Sequence, residues 1–472
     1  MAFRPLFAAG EIAHDGHVTL LENRVNRTRS QNLAWAVAAV ALVSIVGAAG
    51  FRATPGVLIE PLEQAFGWSR GTISAAVSIN LVLYGLTSPF AAALMERFGM
   101  RRVVAGALLL VAAGSGLTVF MTASWQLMLL WGVLVGLGTG SMALAFVATF
   151  TSRWFVKHRG LVTGVLTAGG AAGQLVFLPL LANLVQAYDW RVAALTVAGS
   201  ALLVVPLVLW LLRDDPADLG ITAYGASASD SSRQPAWTAD SRGLLTSGPD
   251  TPPDTPPAAP TVSTGAARRA LGALRDAAKT RTFWLLAGGF AICGATTNGL
   301  VGTHFIPAAH DHGMPTTTAA SLLALVGIFD IVGTIASGWL TDRFDPRWLL
   351  GIYYALRGLS LMILPGLFAA DPHPSMLVFI LFYGLDWVAT VPPTIALCRK
   401  HFGASGAIVF GWVFASHQFG AAGIALVAGL VRDSSGSYAA AFYGAGLLSL
   451  AATAMSLAIV RPGVVRRWRL AS

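Results

Sequence analysis

The chain has 472 residues, of which 55% are apolar and only 11% charged. Soluble domains carry about 25% charged residues, so a water-soluble enzyme, a secreted disulfide scaffold and a disordered chain are all excluded. With 51 Gly and 14 Trp the composition is that of a polytopic membrane protein, and Cys293 and Cys398, both in apolar runs, read as packing residues.

Residues 1–32 hold Glu11, Asp15 and Glu22 but no apolar core, and read as a cytoplasmic tail rather than a signal peptide. Runs of about 20 apolar residues then predict an all-α membrane protein of twelve transmembrane helices. They fall at 33–60, 70–95, 101–121, 125–150, 160–184 and 190–212, then 283–307, 316–340, 347–368, 374–398, 406–430 and 438–460. Breakers bound them, such as Glu60-Pro61 after the first and Arg97 after the second. The spans group into six-helix bundles over 33–212 and 283–460. Between them, 213–282 has another composition: 251–260 is Pro/Thr-rich, cannot build a core, and reads as a largely disordered cytoplasmic linker. Within it, 266–279 is expected to form a short surface helix with Arg268, Arg269, Arg275 and Lys279 facing lipid headgroups. A basic cytoplasmic tail, 461–472, ends the chain.

With the N-terminus placed inside, the inner segments hold 26 Lys and Arg and the outer segments only Arg70, Arg191 and Arg432. Both termini are therefore expected in the cytoplasm. The net charge of +9 is a topology signal, and no nucleic-acid partner is expected.

The second and eighth spans are followed by related loops, Glu96-Arg97-Phe98 with Arg101 and Asp342-Arg343-Phe344 with Arg347, 246 residues apart. A second echo joins Arg153-Trp154-Phe155 and Gly164 to Lys400-His401-Phe402 and Gly411 at a separation of 247. Two echoes at nearly one offset indicate a duplicated six-span unit, the plan of transporters that bind substrate between halves near the midplane.

On these motifs the chain resembles the major facilitator superfamily over essentially all its spans. The loop pattern Gly-x-x-x-Asp-Arg-x-Gly-x-Arg is that superfamily's cytoplasmic signature; here the first copy has Ala92 and Glu96, and the second has Asp345 for Gly. The charged positions Glu96, Arg97, Arg101, Asp342, Arg343 and Arg347 are the expected gating set, pairing in one conformation and releasing in the other. Phe66-Gly67-Trp68-Ser69-Arg70, Arg153-Trp154-Phe155 with Lys157 and Arg159, Asp214-Asp215-Pro216 to Gly220, and Asp433 to Tyr438 together resemble the bacterial monocarboxylate transporter and oxalate–formate antiporter branch. Two features depart from animal monocarboxylate carriers. Asp330 matches their acid in the eighth span, but Thr334 stands where they have Arg; their acidic first-span signature is absent.

Charges at bilayer depth are costly and imply a partner or a pathway. Arg52, in the outer half of the first span, offers a bidentate fork to a carboxylate, and the resemblance places the first, fourth, seventh and tenth spans along the central path. Asn80 and Tyr84 share one face of the second span; with Gln174, Asn298 and His304 they complete the candidate substrate-binding set. Arg357 and Asp330 fall at similar depth on adjacent spans and are expected to form a buried ion pair. Asp386 reads as a lone buried carboxyl able to carry a proton, with His417 and Asp330 as partners in that work.

The reading that follows is a secondary transporter of a small organic anion of the monocarboxylate type, proton-coupled or working by anion exchange, in the bacterial inner membrane. The alternative is a proton-driven exporter of drug-like or cationic compounds, although the Gly-Pro signature of such exporters is missing, with Gly169 followed by Gly170. No enzyme motif is present, and His310-Asp311-His312 is too slight to claim a metal. No cofactor is expected, and two six-span halves make a monomer sufficient.

Overall fold

The structure, a computed structural model, describes residues 8–142, 144–226 and 264–460. Side chains are described from Asn32 onward, and those of Arg52, Glu96 and Arg159 lie outside the described residues. So do 227–263, the greater part of the expected linker, and the tail 461–472.

Among the described residues, twelve helices are long and apolar enough to cross a membrane. The first six are Asn32–Phe66, Arg70–Ala91, Met100–Phe120, Ser124–Trp154, Leu161–Ala187 and Trp190–Leu211. The last six are Arg281–Asp311, Thr316–Thr341, Pro346–Leu367, Pro374–Phe402, Gly406–Ser435 and Ala439–Leu457. The end carrying Arg70, Arg191 and Arg432 is called outer below, following the charge bias.

Several helices run past the ends that the breakers predict. The first helix begins at Ala8, inside the expected tail, and runs through Pro55 and Pro61 to Phe66. The seventh passes Pro307 to reach Asp311. Proline is tolerated in membrane helices where neighbours re-satisfy the freed backbone groups, so a Glu-Pro pair did not terminate the helix. The extra turns carry Glu63 and Asp311 beyond the expected ends.

The two groups of six meet along seams of the second span against the eleventh and the fifth against the eighth, with the first span also packing on the seventh. On the first seam the helices run antiparallel at close range: a methyl on Gly85 would lie 2.9 Å from the Gln418 Cβ. Small residues permit such approach, and between membrane helices close packing replaces the hydrophobic drive of water.

The buried apolar residues form two clusters. One runs through the first six spans and continues into the outer parts of the last six, including Leu300, Phe305, Phe368, Tyr438 and Phe442. The other is confined to the inner parts of the last six, with Phe283, Phe290, Tyr354, Leu397 and Val413. The halves therefore share a core at the outer end, while the inner part of the second half keeps its own.

The first part of the expected linker is ordered. Pro216–Leu219 forms a short helical turn capped by Asp215, and Tyr224 pairs with Phe155 by a backbone bridge, its N–H donating to the Trp154 carbonyl at 2.8 Å. Thr264–Ala277 is helical, close to the expected 266–279.

Candidate functional site: interrupted central spans and an outer charge cluster

Three of the spans on the expected central path depart from α-helical geometry. The fourth carries a π-helical stretch at Met128–Val135 and the seventh another at Ala295–Val301. The tenth is broken: one helix ends at Asp386 and the next begins at Val391. Such interruptions collect at functional sites.

The break in the tenth span has a local cause. Pro392 and Pro393 have no N–H, so the carbonyls of Val388 and Ala389 lose their helical donors. At membrane depth every freed group needs a partner. Val391 N–H turns to the Val388 carbonyl at 2.9 Å, and Ser337 Oγ of the eighth span donates to the Ala389 carbonyl at 2.5 Å. Asp330, also on the eighth span, accepts from Val388 N–H at 3.1 Å and from Thr334 Oγ1 at 3.0 Å. Arg357 of the ninth span donates from Nη2 to the carbonyls of Asp386 at 2.5 Å and Trp387 at 3.3 Å.

The ion pair of Arg357 differs from the expected one. Its Nε donates to Asp386 Oδ2 at 2.5 Å, and its Nη1 to Cys293 Sγ at 3.0 Å, while Asp330 caps the broken helix. Matching depth on adjacent helices did not determine which way Asp330 faces, and it faces the tenth span. Asp386 is therefore paired rather than lone, and Arg357, 1% exposed, closes the break as a cation set against the last carbonyls of a helix. Thr334, in the position where animal carriers have Arg, bonds Asp330 instead.

The remaining candidates are scattered along the path. The Asn80 amide donates to the Trp131 carbonyl at 2.8 Å, tying the second span to the fourth beside its π-helical stretch. Tyr84 is buried 6.1 Å from the Phe414 ring, at the seam with the eleventh span. His417 stacks nearly parallel on Phe414 and lies 5.0 Å from Phe290. Gln174 and Asn298 are half-buried, Asn298 within the π-helical stretch of the seventh span. Arg52 is helical, and its side chain lies outside the described residues. Gln418, which the sequence reading passed over, is 1% exposed at the second–eleventh seam, its amide nitrogen without an acceptor among the described residues.

A dense charge constellation lies at the outer end, where the sequence shows the motifs Phe66–Arg70 and Asp433–Tyr438 but not that they meet. Gly67, at φ +66°, turns the chain after the first span, and Ser69 caps the second by accepting from Thr72 N–H. Arg70 is thereby presented to the other half. It is 5% exposed, donates to Glu63 at 2.7 Å and forks onto both oxygens of Asp311 at 3.0 Å. Arg432 binds the same Asp311 at 2.7 Å, and Asp433 accepts from the N–H groups of Arg70 and Gly71 at 3.1 and 2.8 Å. His310 lies 2.9 Å from Glu60. The Tyr438 hydroxyl accepts from Arg70 at 3.4 Å, and burial pushes it up to about 12, so it keeps its proton. His304 is engaged at both ring nitrogens. Its Nε2 lies 2.8 Å from the Ala425 carbonyl and must donate there, so Nδ1 accepts from Tyr438 at 3.3 Å. That bridging role leaves neither nitrogen of His304 for a substrate.

At the inner end the contacts described for the charged loops run within one half. Arg101 N–H donates to Asp214 Oδ1 at 2.7 Å, and Arg153 reaches the Asp214 carbonyl at 3.2 Å. Gly99 between the second and third spans sits at φ +84°, and a methyl there would meet Asp214 Oδ2 at 2.4 Å. Arg97 lies over the ring of its neighbour Phe98. In the second loop Arg343 lies 3.9 Å over Trp339, Arg347 pairs with Asp345 at 2.7 Å and donates to the Ile459 carbonyl, and Asp342 is exposed.

The Major Facilitator Superfamily model matches residues 40–408 and 291–471. An uncharacterised MFS-type transporter, YcxA of Bacillus subtilis, is 25% identical over 87% of this chain and 91% of its own length. Monocarboxylate transporter 13 of Rattus norvegicus is 28% identical over 86% of this chain and 83% of its own. Among solved structures, a D-xylose–proton symporter superposes with a TM-score of 0.66 at 14% identity, over 90% of this chain and 98% of that one. A bacterial homologue of the lysosomal transporter Spinster, solved inward-facing and unoccupied, gives 0.62 at 14% identity, over 91% and 96%. The chain belongs to the Major Facilitator Superfamily of multi-pass membrane transporters.

Proposed function

We propose that this transporter moves a small organic anion, of the monocarboxylate class, across the bacterial inner membrane by alternating access, coupled to protons or to exchange for a second anion. The observation that carries this reading is the breadth of the likeness: monocarboxylate transporters of four mammals align over 83–86% of their own lengths at 25–28% identity. Arg52 is the proposed carboxylate contact, with Asn80, Tyr84, Gln174 and Asn298 as polar neighbours. Asp386, Asp330 and His417 are the proposed proton groups. Two of them sit at the break of the tenth span, so a proton on Asp386 releases Arg357 from its carboxylate and couples protonation to the helix that lines the path. Glu96, Arg97, Arg101, Asp342, Arg343 and Arg347 are the proposed inner gate. One chain suffices for this cycle.

The test is uptake into proteoliposomes under an inward proton gradient, across a panel of small carboxylates. Uptake of one of them, lost in Arg52→Ala and uncoupled from the gradient in Asp386→Asn, is expected. Gradient-independent uptake that needs internal anion identifies exchange. Proton-driven extrusion of a lipophilic cation with no carboxylate uptake overturns the anion reading in favour of an exporter.

A further inference from the structure

The helix Thr264–Ala277 lies at the inner end and touches both halves, packing on the second span and on the eleventh. Its spacing separates two faces. Ala270 and Ala277 are buried, with Ala273 and Leu274 half-buried beside them, and the Ala270 carbonyl accepts from Trp412 Nε1 at 2.9 Å. The opposite face presents Arg268, Arg269, Arg275 and Lys279, all exposed, around Leu271, which is 51% exposed. Of the acids on this helix only Asp276 offsets them, and it holds Lys279 at 2.9 Å. Arg269 and Asp276 also border a cavity of about 420 Å³ lined by Phe402, Ser405, Ile408 and Val409.

The level of this helix relative to the bilayer is marked by Trp284 just beyond it, 61% exposed, whose Nε1 donates to the Ala278 carbonyl at 2.8 Å. Exposed Trp belongs at the membrane–water boundary. The basic face therefore lies at headgroup depth, and the inner leaflet carries the anionic lipids that clusters of Lys and Arg attract. Four exposed basic side chains gathered at that depth fit the phosphate of a lipid headgroup.

We propose that the face formed by Arg268, Arg269, Arg275 and Lys279 is a binding surface for anionic phospholipid of the inner leaflet. A lipid held there sits on the one described helix outside the spans that contacts both halves at the inner end. The proposal does not rest on the identity of the substrate.

The test uses the full chain purified in neutral detergent, offered equal amounts of phosphatidylglycerol and phosphatidylcholine, with retained lipids counted by native mass spectrometry. Preferential retention of phosphatidylglycerol is expected, weakening as salt is raised because the attraction is screened. Each charge removed near a surface is worth roughly fivefold, so the R268Q/R269Q/R275Q/K279Q variant should lose at least fivefold of the preference. Equal retention of the two lipids by the parent, or a preference unchanged in the variant, overturns the proposal. If the quadruple variant does not fold, R275Q/K279Q, which removes two of the four charges, should still lose at least about fivefold, and an unchanged preference there overturns it equally. A rise in phosphatidylglycerol retention on deleting 231–260, with no effect of the Gln substitutions, assigns the surface to the chain's own linker instead.

Discussion

The two ends of the molecule use charge differently. At the outer end Arg70, from the first six spans and held by Glu63, engages Asp311, Asp433 and Tyr438 from the last six. At the inner end Arg101 and Arg153 turn to Asp214, and Arg347 to Asp345 and Ile459, each within its own half. The apolar clusters follow the same division, shared between the halves outside and separate inside. Charges that bridge halves must part for the outer end to open, whereas charges confined to one half can ride with it as a rigid unit. Among the described residues, charge pairs thus join the halves at the outer end, while the printed contacts of the inner loops stay within one half.

The contrast makes graded predictions. The largest effect belongs to Arg70→Ala, which removes the fork onto Asp311 from the other half and leaves that carboxylate to Arg432 of its own half; losing a hydrogen bond to a charged group costs about 1.5–3 kcal/mol. It should shift the population toward an outward-open form, seen as a longer spin-label distance across the outer ends, and an unchanged distance would mean that Arg70 does not hold the outer end closed. Next is Gly99→Ala at the inner end, which forces a left-handed conformation and a clash with Asp214, at about 1–3 kcal/mol. It should lower thermal stability in detergent without changing the outer distance. Asp433→Ala removes a cap of the second span supplied by the other half, about 0.5–2 kcal/mol; it should move the outer distance in the same sense as Arg70→Ala, by less. Smallest is Glu60→Gln, facing the half-exposed His310, about 0.2–1 kcal/mol. Its effect on the outer distance should vanish in high salt, and an effect as large as that of Arg70→Ala would mean the bridge between the halves is centred on the wrong pair.

Part of this was legible in advance. Twelve spans follow from apolar run lengths, because a bilayer has one thickness and a helix one rise per residue. The break of the tenth span is carried by Pro392-Pro393, which lie inside a run apolar enough to read as one continuous span. The motifs behind the family resemblance were noticed one by one, yet the structure joins them in pairs. Residues 66–70 meet 433–438 at the outer end, and Arg153 meets the Asp214 segment at the inner end. No local pattern shows that two segments 363 residues apart share a hydrogen bond.

What the sequence determined by itself is the membrane class, the number and order of spans, the duplicated plan and the side bearing positive charge, all of which depend on composition and local periodicity. The tertiary structure decided the partners. Arg357 was matched to Asp330 by depth alone, yet it binds Asp386, because the direction of a side chain around its helix, set by packing, determines which neighbour it meets. Glu63 and Asp311 were assigned to loops until two helices, held by their neighbours, ran past their prolines and carried both acids to Arg70.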